Sequence, residues 1–286
     1  MSQTRTGHFG IGFRRGGGWQ DDLDALAAWA KANGFECLDV RGADACRKVV
    51  AAGLAVGSAD LADWQGMISP DKAARKDAVA KNAQLIRDCK GVASNFFVVM
   101  LPAKQDLPRE ENFDYMVDSF SQLTGVLAKC GSRVVIEGWP GPAALCCTPE
   151  TIRAFFKEVD SPTMGLNFDP SHLIRMGIDH TRFIDEFADR VGHVHGKDTE
   201  ILTDNLSEVG LYQQSIFKQP VFCGEFAWRY TIPGHGVTRW SYVLGALQKA
   251  GFTGAVSVEL EDADYNGTEE GEKAGLLASL NCLRTV

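Results

Sequence analysis

Four residues of this 286-residue chain stand where chemistry, rather than core packing, is expected. Glu137, Asp169, His195 and Glu259 each follow a short run rich in Val, Ile, Leu or Phe, such as Val134-Val135-Ile136 before Glu137 and Val256-Ser257-Val258 before Glu259. Alternate side chains of a strand face opposite ways, so the parity that sends Val134 and Ile136 to one face sends Glu137 to the other. The same count opposes Asp169 to Leu166 and Phe168, His195 to Val194, and Glu259 to Val256, Val258 and Leu260. Three carboxylates and one imidazole converging at strand ends are costly to bury unless a cation neutralises them. The set suits a hard divalent ion with open positions, such as Mn²⁺ or Mg²⁺. The plain alternative is a salt-bridge network crowning the strands. His193 shares the parity of His195 one layer deeper and is expected to be a hydrogen-bonded core histidine or a support for the site rather than a ligand.

The elements that must position these residues repeat one unit: a short apolar strand, a polar turn, then an amphipathic helix closed by Gly. Strands are expected at 8–13, 36–40, 54–59, 95–100, 133–137, 164–169, 191–197 and 255–259. Between them, Leu23, Leu26, Ala27 and Ala30 form one helical face before Gly34, and Ser69-Pro70-Asp71 marks a helix start with Ser69 as the capping hydroxyl. Met116, Phe120, Leu123 and Leu127 read as one helix up to Gly131, Thr148-Pro149-Glu150 as another capped start, and the pattern from Ser171 through Phe187 as helical. Eight such units without a composition break predict an α/β chain forming a single (β/α)8 TIM barrel, residues 1–286 being one domain. The four residues then lie on the C-terminal face, where barrel enzymes place their sites. One connection is abnormal. From Thr199 to Val237 no strong periodicity appears, and a loop this long after strand seven is expected to cover the site or dock a partner subunit, in a homo-oligomer or hetero-oligomer; the bland alternative is a decorative insertion.

Composition narrows the partners. The chain is 45% hydrophobic and 23% charged, and Lys+Arg 29 against Asp+Glu 37 gives a net charge of -8, which opposes nucleic acid or an anionic membrane as partner and leaves small neutral ligands open. No run of about 18 apolar residues occurs, and residues 1–10 lack the pattern of a signal peptide, so a soluble, cytoplasmic protein is expected. The eight cysteines have no C-x-x-C spacing and read as reduced core thiols.

Five motifs occur in order: Glu137-Gly138-Trp139-Pro140, Asp169-Pro170-Ser171-His172, His193-Val194-His195-Gly196-Lys197-Asp198, Pro233-Gly234-His235-Gly236 and Ser257-Val258-Glu259-Leu260-Glu261. Together they resemble the sugar phosphate isomerase/epimerase family, the xylose-isomerase-like barrels that include ketose 3-epimerases, inosose dehydratases and endonuclease IV. The resemblance spans nearly half the chain. It implies metal ligation by Glu137, Asp169, His195 and Glu259, with Mn²⁺ as the expected ion and Mg²⁺ or Co²⁺ as substitutes, and substrate contact by His172. Trp139, Lys197, Arg229 and His235 are the further candidates for substrate contact; His235 stands where many relatives carry an acid, and turn packing is its alternative role.

The reaction so implied is isomerisation or epimerisation of a keto-sugar or keto-glycoside, by proton abstraction next to a carbonyl through an enediolate, with Glu137 and Glu259 as base and acid. A lyase of the inosose-dehydratase or 3-keto-glycoside-eliminating kind shares the first step and adds an acid beside the leaving group, for which His172, Lys197 and His235 are candidates. A non-catalytic sugar-binding subunit is the remote alternative. Endonuclease IV needs additional histidines from the first half of the barrel, whereas no histidine lies between His8 and His172.

Overall fold

A computed structural model describes residues 2–286; Met1, part of the 1–10 and 1–286 readings, lies outside the described residues. The strands in chain order are β1 (Gly10–Arg14), β2 (Cys37–Arg41), β3 (Ala55–Asp60), β4 (Asn95–Val99), β5 (Arg133–Glu137), β6 (Met164–Phe168), β7 (Val191–Gly196), β8 (Asp198–Ile201), β9 (Trp228–Thr231) and β10 (Ala255–Val258). β1 to β7 and β10 close into a parallel barrel in which β10 returns to β1, which is the eight-stranded α/β barrel expected from the repeat. Among the described residues no helix is long and apolar enough to cross a membrane.

The alternation along each strand divides the barrel into two environments. Val134, Ile136, Leu166, Phe168, Val194, Val256 and Val258 are buried between the strands and the surrounding helices. Each such side chain contributes roughly 1.5–3 kcal/mol by leaving water, which sets the orientation of the strand and hence of its opposite face. Inside lie polar residues: Asp39, Asn167, His193, His195 and Ser257 are all buried. Two register shifts adjust this interior, one between Leu38 and Val40 opposite β3 and one between Leu166 and Asn167 opposite β7. At the first, the Ser58 backbone N–H turns onto Asp39 Oδ1 at 2.9 Å, a bond that a regular ladder would have spent on the neighbouring strand.

Three helix boundaries differ from the sequence reading. Asp71, not Ser69, caps the helix Lys72–Asp88 by accepting from the Ala73 N–H at 2.8 Å, while Ser69 accepts from the Asp71 N–H. The apolar stripe through Met116 and Leu127 is divided between Arg109–Ser121 and Thr124–Cys130. The pattern after Ser171 is divided between Pro170–Arg175 and His180–Phe187, with Gly177 at φ 75° between them, a left-handed turn that glycine adopts without strain.

The long connection is only partly irregular. β8 and β9 pair antiparallel, Thr199 opposite Tyr230 and Ile201 opposite Trp228, to make a ribbon standing on the barrel mouth. Four-residue strands are too short to print a period, which is why the sequence showed none. The base of the ribbon is fastened by Asp198, whose buried carboxylate accepts from the backbone N–H groups of Thr199, Gly234 and Thr238 and from Trp240 Nε1, at 2.9–3.1 Å. A Cβ on Gly236 would lie 2.3 Å from Asp198 Oδ1, so the Pro-Gly-His-Gly turn needs its last glycine for this approach. Beyond the ribbon, the tip carries a helix, Thr203–Val209, and exposed Tyr212, Ile216 and Phe217.

Candidate metal centre and active site

Each of the four strand-end residues is fixed by a different local device. Asp169 caps the helix Pro170–Arg175: its Oδ1 accepts from the Ser171 N–H at 2.9 Å and the Ser171 hydroxyl at 2.6 Å, leaving Oδ2 free. Glu137 Oε2 accepts from Asn167 Nδ2 at 2.7 Å, and its Oε1 lies 3.1 Å from His172 Nε2. His195 is stacked on Phe97, ring centroids 5.3 Å apart, with Nδ1 toward Glu137, Asp169 and Glu259 and Nε2 3.7 Å from Asp39. Glu259 is the most open of the four, with Arg14 Nε 3.4 Å from its Oε1 and Lys197 Nζ 2.5 Å from its Oε2.

One donor atom from each of Glu137, Asp169, His195 and Glu259 lies within 4.8 Å of the others. Asp169 Oδ2 and His195 Nδ1 are buried without a well-aligned hydrogen bond, although Lys197 Nζ lies 3.3 Å from the first and Glu137 Oε2 2.6 Å from the second, a crowding of donor atoms that a further group between them would satisfy. Three carboxylates and one imidazole with two donor atoms so placed fit a divalent cation. Asp39, His193 and His195 form a second close group, but Asp39 is already saturated: it accepts from Ser58 N–H, Ser257 Oγ at 2.9 Å and, on its other oxygen, contacts His193 Nε2 at 2.9 Å. That lower layer is a hydrogen-bonded floor, the role expected of His193.

Electrostatics reports the same demand for positive charge. Burial and Glu259 push the Glu137 carboxyl up, yet His195 and hydrogen bonding hold it well below the usual carboxylate range. Burial opposes ionisation of Glu259 too, and Lys197, His195 and Arg14 outweigh it. Conversely, burial favours neutral His195 and Lys197, but the surrounding carboxylates raise both. Lys197 is fully buried and held as an ammonium by Glu259, Glu261 at 2.9 Å and Asp169 at 3.3 Å.

Above the carboxylates lies a cavity of about 380 Å³, lined among others by Arg14, Asp60, Trp64, Trp139, Lys197 and Glu261. Trp139 reaches it because Gly141 leaves room for the indole; a Cβ there would overlap the ring. The structure therefore brings Glu137, Asp169, His172, His195, Lys197 and Glu259 together, with Trp139 on the cavity wall. It does not bring Arg229 or His235 to them. Arg229 pairs with Glu200 at 2.6 Å and Asp264 at 3.0 Å, and His235 is exposed beside the Tyr265 ring. The ribbon's contribution is Tyr230, whose hydroxyl lies 2.7 Å from His172 Nδ1. Strand alternation alone would have separated Tyr230 and Trp228 from Arg229, had the segment been recognised as a strand. Asp39, Asn167, Arg14 and Asp60 were likewise missed, although Asp39 shows the same parity signal between Leu38 and Val40.

Residues 10–286 match the sequence pattern described as the xylose isomerase-like TIM barrel. The chain belongs to that family. Among family relatives, an inosose dehydratase of Geobacillus thermodenitrificans is 31% identical over 158 residues, 55% of this chain and 50% of the dehydratase; the matched segment thus spans about half the length of that relative. Among solved structures, the apo form of a 3-keto-D-glucoside 4-epimerase from E. coli superimposes with a TM-score of 0.70 at 17% identity, covering 97% of this chain and 100% of that one. The IolI protein with a zinc atom superimposes with a TM-score of 0.64 at 17% identity, covering 96% and 95%. At these identities the two structures establish the shared fold alone. By their names, the proteins this chain is similar to include inosose dehydratases and, among the structures that share the fold, a 3-keto-D-glucoside 4-epimerase and a D-psicose 3-epimerase.

Proposed function

We propose that residues 1–286 act as one barrel domain and as a divalent-metal-dependent isomerase or epimerase of a keto-sugar or keto-glycoside, with Mn²⁺ as the preferred ion. The observation that carries this reading is the convergence of Glu137, Asp169, His195 and Glu259 with two donor atoms among them lacking an aligned hydrogen bond. Bound there, a divalent cation supplies Lewis-acid polarisation to a substrate carbonyl, which makes the adjacent C–H acidic enough for a carboxylate. Glu137 and Glu259 then act as base and acid, each holding or returning the proton at the carbon. Asp169 and His195 anchor the ion without carrying protons. His172, Lys197 and Trp139 contact the substrate, and Arg229 and His235 brace the ribbon and its return.

A lyase reading is favoured by two observations: Lys197 places an ammonium within the carboxylate cluster, where it would hydrogen-bond and stabilise a departing oxygen, and the relative at 31% identity is a dehydratase. Incubating the Mn²⁺-supplemented protein with ketohexoses, inosose and 3-keto-glycosides in D₂O separates the two. Deuterium incorporated at the exchanged carbon of an epimer is the expected result; release of water or aglycone would transfer the protein to the lyases. No exchange and no product, with ligand binding that survives metal removal, would favour a sugar-binding subunit.

The connection 199–237 is proposed to be part of the working site. Replacing it with a short Gly/Ser connector should leave the far-ultraviolet circular dichroism of the barrel intact and lower turnover by at least about 10²-fold, the cost of losing substrate orientation by an ångström or so. Unchanged turnover and unchanged oligomeric state would make the insertion decorative.

A further inference from the structure

His172 sits between two unlike neighbours. On one side its Nε2 faces carboxylates, Glu137 Oε1 at 3.1 Å and Asp169 Oδ2 at 3.5 Å. On the other its Nδ1 lies 2.7 Å from the hydroxyl of Tyr230, on the ribbon strand β9. Both rings are buried, His172 at 1% and Tyr230 at 5% exposure, so no bulk water completes their hydrogen bonds. Arg175, one turn along the helix from His172, reaches the same hydroxyl: its Nη1 donates to Tyr230 Oη at 2.7 Å while Nη2 donates to the Pro140 carbonyl at 3.0 Å. Its guanidinium lies over the Trp228 ring at 4.9 Å, so the group is clamped from several directions.

Donor bookkeeping then fixes every proton in the chain. A guanidinium has N–H donors and no acceptor, so the Tyr230 oxygen accepts from Arg175 and its own single O–H must be used elsewhere. The acceptor within reach is His172 Nδ1. That nitrogen therefore presents a lone pair, and the ring proton resides on Nε2, where it is donated toward Glu137. The opposite end gives the same answer independently, since a bare Nε2 facing two carboxylates would be repelled. A proton on both nitrogens would leave the Tyr230 O–H buried without a partner, at a cost of about 1–3 kcal/mol.

We infer that Tyr230, oriented by Arg175, is a positioning residue that locks His172 as its Nε2–H tautomer, so that the ring presents an N–H, held on Glu137 until a substrate oxygen replaces that contact, and acts as hydrogen-bond donor and proton source and not as the base. The inserted ribbon thus belongs to the active site through one hydroxyl: it sets the direction of a hydrogen-bonded relay, Arg175 to Tyr230 to His172 to Glu137, that the eight barrel strands alone do not contain. The inference deepens the functional reading above by making His172 a donor, the role of an acid beside a leaving group and not of the base, yet the tautomer itself does not depend on which reaction is catalysed.

The test is spectroscopic. The chain has six histidines, few enough for ¹⁵N-histidine labelling and two-bond ¹H–¹⁵N correlation of the Zn²⁺-supplemented protein, with the His172 signals assigned by their loss in His172→Gln. The expected pattern is a single neutral Nε2–H tautomer in the parent. Tyr230→Phe keeps the ring against Trp228 and removes only the hydroxyl; it should convert His172 to a mixture of tautomers and lower turnover on the order of 10- to 100-fold, the usual effect of losing a group that orients a working histidine, with KM changed less than about threefold. Arg175→Met, which leaves Tyr230 free to turn its proton away, should loosen the same tautomer and serves if Tyr230→Phe does not fold. A parent His172 protonated on Nδ1, or an unchanged single Nε2–H tautomer in both variants, would overturn the inference. A purely packing role for Tyr230 would lower the thermal midpoint and leave the nitrogen shifts where they were.

Discussion

Asp169→Ala is expected to abolish tight divalent-metal binding and, with it, turnover, whereas Asp169→Asn should separate the two jobs this side chain performs. One oxygen caps the helix that carries His172, accepting from Ser171 N–H and Oγ, and the other makes no aligned hydrogen bond among the described residues and faces Lys197 at 3.3 Å. Alanine removes both functions; beyond the metal loss it should cost on the order of 1 kcal/mol for the missing cap. Asparagine keeps a cap acceptor and removes the negative charge, so the metal-free protein should unfold close to the parent while its affinity for Mn²⁺ falls. Loss in both variants should exceed the roughly 10- to 100-fold that follows removal of a residue merely supporting a ligand. Calorimetry supplies a readout independent of catalysis: the parent's midpoint should rise with Mn²⁺, by about 2.7 kcal/mol of stability at roughly 100 times the dissociation constant, and that response should be missing from Asp169→Ala. Full metal content and full activity in Asp169→Ala would remove Asp169 from the site.

The four strand-end residues were legible because their partners on the opposite face are unambiguous. Val134, Ile136, Val194, Val256 and Val258 can only be explained as packed against helices, and they are; fixing them leaves Glu137, His195 and Glu259 a single direction. Asp39 carried the same signal between Leu38 and Val40 but lacked a neighbouring motif to draw notice, and its importance rests on contacts with Ser58, His193 and Ser257, which come from three other strands. Such long-range pairings leave no local trace. The ribbon failed for another reason: with four residues per strand and residues 202–227 between them, there is no period to read, and an arginine inside a long loop attracts attention that belongs to the tyrosine beside it. Lys197 was a candidate for substrate contact and for the acid beside a leaving group, but nothing in His-Gly-Lys-Asp discloses that its ammonium would be enclosed by Asp169, Glu259 and Glu261.

The floor and the cluster above it divide the labour. Asp39, His193 and Ser257 are essentially without exposure and knit β2, β7 and β10 together, a dry network in which each lost partner leaves a buried polar group unpaired. Above it, Phe97 and the floor confine His195 so that its Nδ1 faces the other donors. Of the four clustered residues, Glu137 and Glu259 line the cavity, and a carboxylate that must meet a substrate carbon needs that access.

Glu137→Gln and Glu259→Gln are expected to lower proton exchange at the substrate carbon by about 10² to 10⁴, the contribution of a positioned acid or base, while each variant still binds Mn²⁺, more weakly than the parent. Glutamine retains one oxygen and nearly the same volume, so the measurement isolates the proton. The two sites should nonetheless differ in stability. Glu137 accepts from Asn167 on one oxygen and from His172 on the other, so an amide there turns its NH₂ against a donor whichever way it is placed, at roughly 1–3 kcal/mol for the unpaired buried group. Glu259 has Lys197 2.5 Å from one oxygen and Arg14 3.4 Å from the other, so the amide can keep its oxygen on Lys197 and turn its NH₂ toward the longer Arg14 contact at the cavity, where the loss is smaller. In an epimerase the two substitutions should suppress exchange asymmetrically, each blocking removal of the proton from the face its carboxylate serves, so that starting from either epimer reverses which variant is the more impaired. In a lyase one glutamate alone should govern exchange, and Lys197→Ala or His172→Ala should permit exchange while blocking departure of the leaving group. Deuterium uptake followed by NMR in D₂O, with metal content measured on the same samples, reads all of these outcomes. If the metal-loaded Glu137→Gln, Glu259→Gln double variant exchanged the proton at the parent rate, neither carboxylate would be moving it, and the base would have to be sought among the remaining polar groups of the cavity, such as Asp60, a wall carboxylate paired with Arg14 and not assigned to the ion or to Lys197.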